Sequence, residues 1–216
     1  MPASVFLLVS ALASAGCRHR SLPPIHPKKP SNAIVQGARD QLSWGTHYYS
    51  AYIKIPYPGG DVPRNKGVCT DVVIRAFRHA GYDLQVLVHE DILRPGSRYP
   101  VYRSSKGPDT SIDHRRCPNL RRFFQRHGKD LPTGVGKNDL ATWKPGDIVF
   151  WKLNGGLDHV GIVSDVKNAD GIPYVIHNIS TPAEEDCLTA WRIVGHFRYP
   201  AQGIDAAVEV HRAPGG

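Results

Sequence analysis

The sequence predicts an α+β fold in which helices come first and an antiparallel sheet follows. Three segments with a helical spacing of apolar residues, 31–44, 69–80 and 117–128, all precede residue 140. After that point the chain contains short runs rich in β-branched and aromatic residues, separated by Gly, Asn, Asp and Pro. Helical segments followed by a series of strands are typical of the α+β class.

The composition is that of one globular domain with tails. The chain has 216 residues, of which 41% are hydrophobic and 21% charged, which is enough to bury a single core. Its 21 Gly and 18 Pro residues indicate many turns and short elements. The formal net charge of +8 favours an anionic partner such as lipid headgroups or a cell-wall polymer. No DNA- or RNA-binding motif accompanies this charge, so nucleic acid is not an expected partner.

The N-terminal segment has the character of an export signal. Residues 1–16 contain an apolar run followed by small residues before Cys17, and the run is too short to span a bilayer. The letters ASAGC are similar to a bacterial lipobox, in which the cysteine is lipidated and becomes the first residue of the mature chain. The alternative is an ordinary signal peptide that is cleaved near residue 16.

Two flanking segments do not resemble parts of a core. Residues 17–30 are basic and Pro-rich and predict an extended tether, whereas residues 201–216 are rich in Ala and Gly and predict a flexible tail. The folded domain is therefore expected over residues 31–200. Inside it, residues 82–140 are loop-rich, and we interpret them as an insert, leaving open whether it covers a site as a lid.

The first two helices are predicted from their apolar residues. In the first, Ser31 can serve as the N-cap. The apolar positions of that helix are Ala33, Ile34, Ala38 and Leu42. The second begins at Cys69 and ends before Gly81, because glycine favours the conformation found just after a helix. The apolar face of the second helix consists of Val72, Val73, Ala76, Phe77 and Ala80.

The remaining elements follow in chain order. A short helix is expected near residues 88–93, and the segment CPNLRRFFQRHG predicts a longer one with Pro118 in its first turn and Gly128 as its stop. The predicted strands of the antiparallel sheet cover residues 147–153, 159–166 and 173–179. The run GHFRYP near the end of the domain is a further β-rich segment.

The beginning of the second helix suits a nucleophilic cysteine. Cysteine catalysis needs a thiolate, a base within hydrogen-bond reach and a group that orients the base. A helix N-terminus lowers the pKa of a thiol and offers N–H groups to an oxyanion, so Cys69 has a suitable position. His159 and His177 lie in neighbouring predicted strands, which can bring their rings side by side, whereas Asn178 points to the opposite face. The alternative for Cys69 is an inert small residue at the edge of a core.

Several motifs resemble those of known cysteine hydrolases. The segments YPGG, GVCTDVV, KPGDIVFW, DHVGIV and VIHN are together similar to the NlpC-type cell-wall cysteine peptidases, a papain-like group. Over about residues 35–199, the longer motifs GVCTDVVIRAFRHAGYDLQ, PDTSIDHRRCPNL, PGDIVFWKL, DHVGIVSD and VIHNI resemble more closely the bacterial domain-of-unknown-function family 1287, which is placed in that wider group. The resemblance implies a papain-like fold, with the helix of the cysteine packed on an antiparallel sheet.

The resemblance also implies roles for individual residues. Cys69 would be the nucleophile, His159 the general base and His177 the third member, which orients the base. Tyr57 falls where NlpC-type enzymes carry a Tyr before a Gly-Gly pair, near the oxyanion site. Plain packing is the alternative for this tyrosine.

Two further groups are candidates for substrate binding. In NlpC-type enzymes the residues around the cysteine, commonly Asp-Cys-Ser-Gly, help to grip the stem peptide, and here the neighbours are Val68, Thr70 and Asp71. The catalytic chemistry of the family carries over to this chain. Because the residues around the cysteine differ, the stem-peptide substrate does not follow from the resemblance. Arg115 and Arg116, in the stretch PDTSIDHRRCPNL, can bind a carboxylate in a bidentate manner. The alternative for the two arginines is an internal salt-bridge cluster that pins the insert.

Together these patterns predict an exported cysteine hydrolase that cleaves an amide or peptide bond, with bacterial peptidoglycan as the expected substrate. We expect a monomer without a cofactor, located in the periplasm of the cell envelope and attached to the membrane through Cys17. One alternative is a zinc site ligated by Cys69, His159 and His177. Another is a non-catalytic envelope-binding lipoprotein on the same fold. The chain order disfavours a permuted lipid acyltransferase, since those enzymes place the histidine before the cysteine.

Cys117 and Cys187 leave a separate question open. In an oxidising compartment these two cysteines could form a disulfide. The sequence does not fix the distance between them, so free thiols are equally compatible with it.

Overall fold

The structure, a computed structural model, describes residues 32–100 and 107–201, and these residues form an α+β fold. Within them the helices are α1 (Asn32–Arg39), α2 (Cys69–His79), α3 (Leu84–Ile92) and α4 (Cys117–His127). The strands are β1 (His47–Tyr48), β2 (Lys66–Gly67), β3 (Lys129–Asp130), β4 (Ile148–Lys152), β5 (Asp158–Lys167), β6 (Pro173–Asn178), β7 (Pro182–Glu185) and β8 (Arg192–Arg198). Short 3-10 turns lie at Asp40–Ser43, Asp113–Arg115 and Leu140–Thr142.

Six of the strands form one antiparallel sheet in the order β3-β8-β4-β5-β6-β7. The three predicted strands correspond to β4, β5 and β6, and their ends agree with the prediction to within one residue. Strand β7 was not predicted, because its sequence PAEE lacks the β-branched and aromatic residues that mark strands. The strands β1 and β2 form a separate parallel pair.

The sheet separates two apolar clusters. Ile148 and Phe150 of β4 face the larger cluster, which also contains the apolar sides of α1, α2 and α4. Val149 and Trp151 face the smaller cluster, together with Trp143. Strand β4 is therefore buried on both faces, and the sheet at this strand lies between the two apolar clusters.

Helix α2 lies in the centre of the larger cluster. Every residue of its predicted apolar face, from Val72 to Ala80, is fully or almost fully buried. The helix ends as predicted, since Gly81 adopts a positive φ of 96° that disfavours residues with a side chain.

Helix α1 is shorter than the sequence pattern suggests. It ends at Arg39, and the following 3-10 turn leaves Leu42 38% exposed, so the prediction that Leu42 belongs to the apolar face is wrong. Gln41 is buried instead. Its Nε2 donates to the carbonyl oxygens of Gly37 and Val72 at 2.9 and 3.0 Å, which ties the turn to α2.

Helices α3 and α4 lie within the predicted insert and pack against the same core. Helix α3 begins at Leu84, earlier than expected, because the side chain of Asp83 accepts the N–H of Gln85 at 3.0 Å as an N-cap. Asp91 of α3 binds Arg126 of α4 at 2.6 Å, which links the two helices. The apolar residues of α4, Leu120, Phe123 and Phe124, join the larger cluster.

Several sequence predictions lie outside the described residues. They are the signal peptide over residues 1–16, the lipidation of Cys17, the tether over residues 17–30 and nearly all of the tail over residues 201–216. Of the helices in the described part of the chain, none is both long and apolar enough to cross a membrane.

Candidate active site

The N-terminus of α2 positions Cys69 at the first residue of the helix. Val68, which precedes it, is extended, with a φ of −122°, and acts as the N-cap. The carboxylate of Asp71 reaches back and accepts the N–H of Val68 at 2.6 Å, which fixes where the helix begins. The Cys69 thiol therefore lies at the positive end of the helix dipole.

The surroundings of Cys69 favour its thiolate form. The side chain is 4% exposed, and its sulfur lies within hydrogen-bonding reach of both Cys117 and His159. Hydrogen bonding from Cys117, opposed by burial and reinforced by hydrogen bonding from His159, lowers the pKa of Cys69 well below its ordinary value of 9.0. A cysteine in this state is a nucleophile at neutral pH.

His159 and His177 form a direct pair beside this thiol. Strands β5 and β6 are antiparallel neighbours, and they bring Nε2 of His159 within 2.9 Å of Nδ1 of His177. Both side chains are buried. Because Nε2 of His159 faces His177, Nδ1 is the ring nitrogen that remains for Cys69.

Glu185 determines which nitrogen of His177 carries the proton. Its Oε2 lies 3.0 Å from Nε2 of His177. Burial, and the charge of a protonated His159, lower the pKa of His177, so this ring stays neutral. A carboxylate only accepts hydrogen bonds, so the single proton sits on Nε2, and Nδ1 is left to accept the Nε2–H of His159.

Two tryptophans enclose the histidine pair. The ring of Trp151 stacks on His159, with centroids 5.7 Å apart and planes 24° from parallel. Trp191 meets the edges of both imidazoles at 6.0 Å. These contacts hold the two rings in fixed orientations, which a relay of hydrogen bonds requires.

A cleft of about 360 Å³ opens above Cys69. Its walls include the first residues of both α2 and α4, so two helix N-termini point into one space. Free N–H groups at helix starts attract negative charge. The lining residues are Tyr48, Ser50, Val68, Cys69, Thr70, Ile112, Arg115, Arg116, Cys117, Pro118 and Asp158.

The structure gives three of the predicted substrate-binding residues internal roles. Arg115 forms a buried bidentate ion pair with Asp71, at 2.8 and 2.9 Å. Thr70 donates its hydroxyl to the carbonyl oxygen of Arg115 at 2.8 Å. The carboxylate and the hydroxyl are thus used within the fold, and Arg115 lines the cleft with its charge already paired. This is the internal salt-bridge alternative, which joins the insert to the start of α2.

Arg116 is the predicted residue that keeps a free charge toward the cleft. Its side chain is half-buried and lines the cleft. Its Nε is buried without a hydrogen-bond partner among the described residues. Arg116 is therefore available to an anionic group in the cleft.

Tyr57 lies elsewhere. Its ring packs edge-on against His89 of α3, with the centroids 5.2 Å apart, and it is 40% exposed. The tyrosine that lines the cleft is Tyr48, and the charge of a Cys69 thiolate contributes to raising the pKa of its hydroxyl, after burial. Tyr57 therefore does not occupy the position that the resemblance implied. The segment after α1 loops so that β1, rather than the YPGG turn, lies beside Cys69.

Cys117 and Cys187 do not form the disulfide that the sequence left open. All three described cysteines are free. Cys117 lies beside Cys69, whereas Cys187 has its sulfur 3.3 Å from Nε2 of His177. The two sulfurs therefore contact different residues of the site, and no disulfide joins them.

The zinc site proposed from Cys69, His159 and His177 is also not formed. The ligand atoms of these three described residues do not all lie within 4.8 Å of one another. The group of the described chain whose ligand atoms do converge consists of His177, Glu185 and Cys187.

Sequence reasoning missed Cys117 and Glu185 as members of the site. For Cys117 a signal existed, since it precedes Pro118 at the start of a predicted helix, the same kind of position as Cys69. For Glu185 there was none, because β7 was not recognisable as a strand.

Comparison with known proteins finds relatives along most of the chain. Residues 35–199 match the family model described as "Domain of unknown function (DUF1287)". The chain is also 47% identical over 205 residues to "Uncharacterized protein YijF" of Escherichia coli (strain K12). That alignment covers 92% of this chain and 98% of the relative.

Proposed function

This chain belongs to the DUF1287 family, and we propose that it is an exported cysteine hydrolase of the papain-like, NlpC type, which cleaves an amide or peptide bond in bacterial peptidoglycan. The observation that carries the proposal is the line of groups from Cys69 through His159 to His177. The order of these residues in the chain, and the helix N-terminus facing the end of an antiparallel sheet, support the papain-like placement.

The proposed reaction begins with attack by the Cys69 thiolate on the carbonyl carbon of the scissile amide. The carbonyl oxygen becomes an oxyanion, which the free N–H groups of the first turn of α2 stabilise. As the C–N bond breaks, protonated His159 donates its Nδ1 proton to the leaving amine nitrogen. The products of this half-reaction are the free amine and a thioester on Cys69.

Water completes the cycle. Neutral His159 accepts a proton from a water molecule, which attacks the thioester carbon and expels the Cys69 thiolate. A carboxylic acid leaves, and the thiolate and imidazolium are restored. Throughout, His177 accepts the Nε2–H of His159 and so holds the ring with Nδ1 toward the sulfur.

The charge around the cleft favours an anionic substrate. Two helix N-termini and the unpaired Arg116 face the same space, which suits a carboxylate on the substrate. The stem peptides of peptidoglycan carry such carboxylates beside amide bonds. The net charge of +8 attracts the protein to the same polymer.

The test is digestion of purified peptidoglycan, with the products identified by mass. We expect the parent chain to release peptide fragments and Cys69→Ala to release none, while Cys69→Ala keeps the fold. His79→Ala, at the opposite end of α2, is the matched control and should stay within about twofold of the parent. If Cys69→Ala digests peptidoglycan as the parent does, the nucleophile assignment is wrong. If neither protein releases a fragment, peptidoglycan is not the substrate.

A further inference from the structure

His177, Glu185 and Cys187 form a cluster on the side of His177 that faces away from Cys69. Nε2 of His177 lies 3.0 Å from Oε2 of Glu185 and 3.3 Å from Sγ of Cys187. The three ligand atoms all lie within 4.8 Å of one another. Glu185 fixes the proton of His177 on Nε2, whereas Cys187 has no role in the proposed reaction.

The spacing of these atoms is close to that of ligands on a tetrahedral zinc ion. Zn–N and Zn–O distances near 2.1 Å and a Zn–S distance near 2.3 Å place nitrogen and oxygen about 3.4 Å apart, and nitrogen and sulfur about 3.6 Å apart. The observed separations of 3.0 and 3.3 Å are shorter by only a few tenths of an ångström. Small rotations of the three side chains would therefore admit an ion.

The surroundings also fit a metal site. His177 and Cys187 are buried and held by neighbouring elements, whereas the Glu185 side chain is 55% exposed and leaves a path from solvent. One nitrogen, one oxygen and one sulfur donor favour zinc or a similar divalent transition ion over calcium or magnesium. Three protein ligands leave a fourth position for water.

We propose that His177, Glu185 and Cys187 bind Zn²⁺ or a similar divalent ion, and that the bound ion reversibly switches off Cys69. The second half of this proposal rests on the proposed function, whereas the metal site does not. The protons on Nε2 of His177 and on the Cys187 thiol pass to solvent when the ion binds, and the Nε2 proton of His159 moves along its hydrogen bond to Nδ1 of His177.

The switch works through the direction of one hydrogen bond. With an ion on Nε2, neutral His177 carries its proton on Nδ1, which must donate to Nε2 of His159 across 2.9 Å. His159 can then hold a proton on Nδ1 only. A second proton, on Nε2 of His159, would point directly at the Nδ1–H of His177, and two donors at this distance repel each other. His159 is thereby kept from the doubly protonated form that pairs with the Cys69 thiolate.

The metal site is tested by titrating Zn²⁺ against a chromophoric chelator in the full chain carrying Cys69→Ala, which removes the competing thiolate. On that background, Cys187→Ala and Glu185→Ala should each weaken binding at least about tenfold. Cys117→Ala is the matched cysteine control and should bind as its parent does. Equal affinity in all four proteins overturns the site.

A second measurement guards against a variant that fails to fold. Co²⁺ bound by the Cys69→Ala chain should show a thiolate-to-metal charge-transfer band, which Cys187→Ser loses and Cys117→Ser keeps. If the band is absent from the Cys69→Ala chain, or persists in Cys187→Ser, the proposal fails.

The switch is tested by the rate at which iodoacetamide alkylates Cys69 in the otherwise unaltered chain. Zn²⁺ should slow alkylation at least about tenfold, a chelator should restore it, and Cys187→Ala should remove the effect. Zinc that binds at the site without slowing alkylation overturns the switch.

The metal site and the proposed function can fail separately. A protein that binds zinc at these residues but digests no peptidoglycan supports the metal site and contradicts the proposed function. A protein that digests peptidoglycan but binds no zinc at these residues overturns the metal site and leaves the proposed function standing.

Discussion

At the scale of single residues, the Cys69 thiol has two partners of different chemistry. Cys117 contributes an S–H donor from the start of another helix, and His159 contributes an imidazole from the sheet. The donation from Cys117 is the largest influence that lowers the pKa of Cys69, ahead of the influence of His159. The other two described cysteines differ, since burial and nearby negative charge raise the pKa of Cys187 to about 12, and Cys117 also stays a thiol.

This difference predicts the pH dependence of alkylation. A lowered pKa means that Cys69 is already a thiolate at neutral pH and loses reactivity only as the pH falls through that lowered value. We expect iodoacetamide to modify Cys69 well before Cys117 or Cys187 at neutral pH, as peptide mass mapping would show. In Cys117→Ala the midpoint of the Cys69 profile should move up toward 9.0, because the main donor is lost.

Cys117→Ser is the matched control for that shift. Serine keeps a hydrogen-bond donor at the same place, so its profile should stay closer to that of the parent. Identical midpoints in the parent and in Cys117→Ala would show that the thiol of Cys117 does not stabilise the thiolate.

The histidine pair predicts a graded series of activities. His159→Ala removes the base, so the rate of hydrolysis should fall by about 10²–10⁴-fold. His177→Ala only releases the His159 ring, so its loss should be smaller. His177→Asn should recover part of that loss, because the amide oxygen accepts the Nε2–H of His159. Kinetics on peptidoglycan fragments would measure the series. His177→Asn performing no better than His177→Ala would contradict the positioning role.

At the scale of elements, the start of α2 depends on the loop before α4. Asp71 fixes the N-cap of α2 and also binds Arg115, and both side chains of this pair are only 3% exposed. The same loop supplies Arg116 and Cys117 to the cleft. The ion pair therefore holds the two helix N-termini that form the site in a fixed relation.

This arrangement predicts a large loss of stability when one partner is removed. Arg115→Met leaves the Asp71 carboxylate buried without its counter-charge, which should lower the free energy of unfolding by about 3–5 kcal/mol. Urea denaturation of the purified chain would measure the loss. Adding Asp71→Leu to Arg115→Met should recover part of it, since no unpaired charge then remains.

Arg64→Met is the matched control for this pair. Arg64 is exposed and lies over the ring of Trp44 at 4.0 Å, so its replacement should cost less than about 1 kcal/mol. Losses of equal size in Arg64→Met and Arg115→Met would contradict the structural importance of the buried pair.

At the scale of the whole molecule, the proposed export places the site in the cell envelope. If Cys17 is lipidated, the mature protein lacks residues 1–16 and partitions with membranes. Cys17→Ser should then be released from the membrane fraction or remain unprocessed, which cell fractionation and intact mass would show. Ser21→Ala in the tether is the matched control and should fractionate as the parent does. A Cys17→Ser protein that behaves like the parent would mean that the chain is not a lipoprotein.

The sequence by itself determined the local elements and the central line of the site. Helix and strand periods, the glycine that stops α2 and the position of Cys69 at a helix start are set by a few neighbouring residues. The placement of His159 and His177 in adjacent strands follows from the same periods, and the structure brings them to 2.9 Å. Such features are predictable because they depend on contacts within one element or one strand pair.

The tertiary structure alone decided which residues surround Cys69, His159 and His177. The charge of Arg115 is paired with Asp71, a residue 44 positions away, so it is not free for substrate. Glu185 reaches His177 through a strand that has no strand-like sequence. Contacts of this kind depend on how loops and edge strands are placed on the core, and that placement is set by the packing of the whole domain rather than by any local pattern.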